Sequence, residues 1–208
     1  MKKIILSLAL IIASTTAFSQ VTVSPGVKAG FNLANLSNVD ESTTKLGLQG
    51  GLFVNLHLSS FYELQIETAY SSQGATFEYK EYDFFTDNYR TVKEDLDLDY
   101  ISLNIANKFF PIKDIGLNLI VGPSLDILVN SDHYNDATPI DFSLFGGIGY
   151  EFPFGLGLEV RYKQGLIDVR EDYYDYYDED DDDFYNGDNA LNGVIQFGVT
   201  YKFDFSKM

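Results

Sequence analysis

The densest set of groups able to do chemistry lies between Asp168 and Asn189, where eleven acidic side chains face one base, Arg170. Its centre is Asp178-Glu179-Asp180-Asp181-Asp182-Asp183, flanked by Tyr173, Tyr174, Tyr176, Tyr177, Phe184 and Tyr185. Carboxylate oxygens at this density suit a hard divalent cation such as Ca²⁺, with Asp180, Asp181, Asp182 and Asp183 as the candidate ligands. An EF-hand register fails, because placing Gly187 at its sixth position puts Phe184 where an oxygen ligand belongs. The favoured reading is a solvated loop whose charges repel one another. Adhesion is a third possibility, with tyrosines supplying contact area and acids steering a basic surface partner. The stretch Glu78-Tyr79-Lys80-Glu81-Tyr82-Asp83-Phe84-Phe85 repeats the acid–aromatic mixture and adds weight to adhesion.

Nucleophilic catalysis finds little to work with. The chain has two histidines, His57 and His133, and no Ser, His and acid converge by spacing. His57 is in phase with a strand's polar face, so a hydrogen-bonded structural role is the better account, and no enzyme is expected. Gly146-Gly147-Ile148-Gly149 alternates as a strand does and lacks the helix that a phosphate loop requires. With no Cys there is no disulfide framework and no thiolate metal site. No cofactor is implied. A formal charge of −17 over 208 residues argues against nucleic acid, which needs a basic footprint.

The elements that must position these groups begin after an address. Lys2 and Lys3 precede an apolar run from Ile4 to Ala13, and Ala17-Phe18-Ser19 places small residues for cleavage before Gln20. This is the layout of an export signal over residues 1–19, too short to span a bilayer as a helix. A domain over 20–208 follows, and a mean hydropathy of −0.08 rules out a bundle of membrane helices.

Eight segments of alternating polarity recur, the pattern of membrane β-strands. Val27, Ala29, Phe31 and Leu33 open the series, and Ile195, Phe197, Val199, Tyr201 and Phe203 close it. Connections alternate between long and short. Ser59-Ser60, Pro111 to Asp114 and Pro153 to Gly155 are tight, whereas Ser37 to Thr44, Thr76 to Asp95, Val129 to Pro139 and Asp168 to Asn189 are long. An eight-stranded antiparallel up-and-down transmembrane barrel has this asymmetry, with short turns and termini periplasmic and long loops extracellular. Lipid then meets the apolar face. The polar face sums to Glu63, Glu67, Asp126, Asp141 and Glu159 against Lys28, Lys108, Arg161, Lys163 and Lys202, a neutral set fit to pair in a narrow lumen. Aromatics gather at the short-turn ends: Phe61 and Tyr62, Phe109 and Phe110, Tyr150 with Phe152 and Phe154, and Tyr201 with Phe203 and Phe205. That clustering reads as an interfacial girdle.

Several fragments carry a family resemblance. Gly26-Val27-Lys28-Ala29-Gly30-Phe31-Asn32-Leu33-Ala34-Asn35-Leu36 resembles the opening strand of the PorT-like outer-membrane β-barrel family of Bacteroidota. Leu64-Gln65-Ile66-Glu67 with Tyr70-Ser71 and Gly74, Leu103 to Pro111, Gly122-Pro123, Arg161-Tyr162 with Gly165-Leu166, and Gly198 to Phe203 continue it in order. The extreme acidic loop departs from the family pattern, as does the lack of a proline near Asn104. The resemblance implies an outer-membrane barrel and involvement in secretion of cargo. The residues themselves point to a structural or surface-binding barrel, with a small passive channel disfavoured because eight strands leave an interior just filled by side chains.

Overall fold

The computed structural model describes residues 21–38, 42–83, 88–112, 114–131, 138–169 and 189–203. Residues 1–20 and the segment 170–188, which holds Asp180 to Asp183, lie outside them, as does His133. The described residues form β1 (Thr22–Ser37), β2 (Ser42–Thr43), β3 (Lys45–His57), β4 (Tyr62–Asp83), β5 (Asn88–Phe109), β6 (Leu117–Ser131), β7 (Ile140–Glu151), β8 (Leu156–Gly165) and β9 (Leu191–Lys202), with no helix among them. Leaving aside the two-residue β2, eight strands pair antiparallel in chain order and close through β1 and β9, where Phe31 stands opposite Phe197.

Alternation fixes the facing of every strand. Phe31, Leu52, Ile66, Leu103, Leu119, Ile148, Leu158 and Val199 are exposed on the outer wall. Their neighbours Lys28, Asn32, Gln65, Glu67, Asn104, Glu159 and Arg161 are buried inside. A single-residue slip would have exchanged the two sets. The outer apolar band covers nine residues from Tyr62 to Tyr70 on β4 and nine from Ile101 to Phe109 on β5. That is about the length a tilted strand needs to cross hydrocarbon.

The three short connections are true turns. Ser59 and Tyr62 exchange backbone bonds of 3.1 and 3.2 Å. Asp114 and Gly116 take positive φ in the second turn, and Gly155 does so in the third. Around them lie the expected ring contacts: Tyr62 with Phe109 at 5.3 Å, Tyr150 with Phe152 at 4.9 Å, and Tyr201 with Phe203 at 5.4 Å. Tilted and edge-on rings at strand ends suit an interfacial belt.

One connection differs from expectation. Thr76 to Asp95 reads as a long loop in sequence, yet its strands continue: β4 and β5 each run 22 residues and stay paired from Tyr62↔Phe109 to Asp83↔Asn88. The pairing of β3 with β4 stops at Ser71, and that of β6 with β5 stops at Leu98. Beyond those points, among the described residues, no strand pairs with the hairpin except β2 at Thr76 and Phe77. A dozen further residues on β4, at about 3.3 Å each, carry it about 40 Å along its own direction. Cross-strand pairs explain why it holds. Glu78 meets Lys93, Glu81 meets Arg90 at 2.7 Å, and Tyr82 packs edge-on against Tyr89 at 5.2 Å.

Candidate functional site

The lumen is the place where chemistry-bearing side chains converge. All ten charges assigned to the polar face lie inside the barrel. Nine are buried outright, and the Lys202 side chain is 16% exposed at the short-turn mouth. At mid-barrel, Arg161 of β8 reaches across to Glu67 of β4, its Nη1 and Nη2 donating at 2.9 and 2.5 Å. Nη2 also donates to Glu159 at 2.9 Å. Lys28 closes the cluster from β1, 2.6 Å from Glu159 and 3.5 Å from Glu67. The guanidinium lies over the Phe145 ring at 5.0 Å. A two-pronged guanidinium matches the carboxylate fork, which is why an Arg sits at this crossing rather than a Lys.

Two further clusters flank that one. Toward the long-loop end, Asp126 accepts from Lys163 at 2.7 Å through both oxygens, and from Ser102, Ser124 and Ser143. Asp141 stands opposite Asp126 on β7 and is satisfied differently, by the Ile167 amide at 3.3 Å and the Ser143 hydroxyl. At the short-turn mouth, Lys202 joins Glu63 at 2.6 Å to Glu151 at 2.5 Å, and Glu151 meets Lys108 at 3.1 Å. His57 hydrogen-bonds Glu63 through Nδ1 at 2.9 Å, and Asn55 donates to the same carboxylate. His57 therefore sits in a charge chain at the mouth.

Above the charged layers the lumen turns apolar. Leu36, Ala75, Leu96, Leu98, Tyr100, Val169 and Ala190 form a buried cluster at the long-loop end, with Phe77 and Leu128 against it. Sequence reasoning missed this cap, and a signal for it exists on β5. From Ile101 to Phe109 the apolar residues hold odd positions and face outward. From Asp95 to Tyr100 the odd positions are acidic, and Leu96, Leu98 and Tyr100 are buried at even ones. Hydrophobic phase inverts between Tyr100 and Ile101 because the strand leaves hydrocarbon there, and its apolar side must then turn inward. Lys45 was missed for a related reason. It is buried near the end of β3, donating to the carbonyls of Gln73 and Leu96 and pairing with Asp97.

Among the described residues no group of His, Asp and Glu is arranged to hold a metal ion. Asp180 to Asp183, the candidate ligands in a segment whose favoured reading from sequence is a solvated loop, lie outside them.

A closed ring of eight antiparallel strands, apolar outside and charged within, defines a transmembrane β-barrel. Residues 18–171 match the family model described as outer membrane protein beta-barrel domain, and the chain belongs to that family. Its place is the outer membrane. Similar solved structures include Neisserial surface protein A, at 13% identity over 89% of this chain and 100% of that one, with a TM-score of 0.47. Ail, the attachment invasion locus protein of Yersinia pestis, solved with the heparin analogue sucrose octasulfate, is 10% identical over 87% and 99%, with a TM-score of 0.43. A de novo designed transmembrane β-barrel is 10% identical over 86% and 95%, also at 0.43. No curated protein matches the chain.

Proposed function

We propose that this is a non-conducting surface barrel that works through its long-loop end, with its termini and short turns in the periplasm. The observation that carries this reading is the filled lumen. Paired charges occupy its middle and an apolar cap closes the end from which the β4–β5 ribbon projects. Water-filled passage would need those pairs broken and the cap displaced, each at a cost of several kcal/mol. The barrel wall is close to neutral, whereas the stretch from Glu78 to Asp99 has eight acids against three bases and that from Asp168 to Asn189 has eleven against one. An acidic, tyrosine-rich rim favours a basic partner or a divalent cation.

Planar-bilayer recording of the purified barrel tests the core of the reading: no steady current is expected, and stable single-channel steps would refute it. Orientation is open to a direct test, since the chain has no native Cys. A membrane-impermeant maleimide applied to intact cells should label Thr91→Cys and leave Ser59→Cys unlabelled. The reverse pattern would invert the assignment. Participation in secretion, the role implied by PorT-like resemblance, is the competing reading. Loss of secreted proteins in a deletion strain would favour it.

A further inference from the structure

We propose that the free edge of β5, from Tyr89 to Asp97, takes up an extended basic polypeptide segment as an added strand. The inference rests on the surface-binding reading and names the partner chemistry of that surface.

The edge follows from backbone geometry. The Leu96 carbonyl faces β4, lying against the Cβ position of Gly74, and the Ile105 carbonyl faces the other way, against that of Gly122 on β6. Even-numbered residues of β5 therefore bond β4 and odd-numbered ones point to the β6 side. On that side β6 supplies partners only from Leu98 onward, and among the described residues no strand pairs with β5 before it. Tyr89, Thr91, Lys93, Asp95 and Asp97 thus turn their N–H and C=O groups to an open edge above the membrane. Such a row templates the addition of another strand.

Charge selects the occupant. Two of the ribbon's three cations are already engaged: Lys93 with Glu78, and Arg90 with Glu81. Of the acids at its root, Asp97 pairs with Lys45, whereas Asp95 meets the neutral Thr76 hydroxyl and Asp99 the neutral Asn130 amide. Another copy of this chain would bring like charge to the same edge, since each copy is strongly acidic. A basic strand brings the opposite charge within about 5 Å of these carboxylates, the distance between directly opposed residues.

The test uses the full-length barrel in detergent micelles, titrated calorimetrically with a short alternating lysine–valine peptide. A second probe is the same peptide N-methylated at every residue, equal in charge but unable to donate backbone hydrogen bonds. The barrel is expected to bind the first probe at least about tenfold more tightly, the value of one to two backbone bonds. Thr91→Pro removes an edge donor without touching the β4 ladder and should weaken binding of the first probe by a similar factor. Circular dichroism should show the barrel intact. Equal affinity for both probes, an unchanged affinity in Thr91→Pro, or no binding of either probe would overturn the added strand. Because the acidic segment 170–188 is present throughout, equal and salt-sensitive binding of both probes would leave surface binding standing on charge alone. Channel currents, by contrast, would sink the underlying reading.

Discussion

Removing Arg161 should be among the most damaging single changes in the barrel. Its guanidinium bonds Glu67 twice and Glu159 once, and all three side chains are no more than 3% exposed. Arg161→Met leaves two buried carboxylates with Lys28 between them and Lys108 4.0 Å from Glu159. Breaking a buried pair from one side costs about 3–5 kcal/mol. Glu67→Gln should cost a similar amount, because it leaves Arg161 with one carboxylate rather than two. The double variant Arg161→Met with Glu67→Gln removes one charge of each sign and restores neutrality. It should therefore fall short of the sum of the singles by about 2–3 kcal/mol. With no Trp in the chain, the assay is guanidinium unfolding in lipid vesicles followed by the strand signal in circular dichroism. Single variants costing under about 1 kcal/mol, or costs additive within about 0.5 kcal/mol, would show that the lumen charges are solvated rather than paired.

Three further outcomes are expected in the same assay. Leu103→Lys sets a charge on the lipid face of β5, where Leu103 is 45% exposed, and should cost about 2–4 kcal/mol if that position lies near the bilayer midplane. Leu98→Ala empties part of the apolar cap and should cost about 2–5 kcal/mol, whereas a value near zero would mean the cap is not packed. Lys93→Ala breaks an exposed ribbon pair and should shift stability by no more than about 1 kcal/mol, so a larger loss would show the ribbon bracing the barrel.

Most of the wall was legible because two solvents act on it at once. Lipid demands apolar residues outside and a narrow lumen demands paired charges inside, so Lys28, Glu67, Lys108, Glu159 and Arg161 declared their facing through period-two alternation alone. What was not legible lay where one of those solvents changes. Between Thr76 and Asp95 water bathes both faces of the ribbon, alternation loses its apolar half, and a paired strand looks like a polar loop. Glu78 with Lys93 and Glu81 with Arg90 become visible as partners only once the register is known. Lys45 escaped because its partners lie past the end of the β3–β4 pairing, Gln73 on β4 and Leu96 and Asp97 one strand further, on β5. Phe145 could be assigned to the inner face by phase, but not to its place under the Arg161 guanidinium, which depends on side chains meeting across the barrel.

The seam between β1 and β9 has a kinetic consequence. It joins Gly26 to Lys202, nearly the two ends of the described chain. Contacts this distant in sequence are the slowest to find. Until they form, both strands present a full row of unpaired backbone groups to hydrocarbon, at several kcal/mol apiece. The salt bridges from Lys28 to Glu159 and Glu67 also span the seam or the lumen, so they too wait for closure. A chain cut short before β9 would lose the seam together with Lys202, which joins Glu63 to Glu151. Insertion should therefore proceed without a stable halfway state, and a completed barrel should leave the membrane only through the same high barrier, holding its place by slow escape as much as by depth of energy.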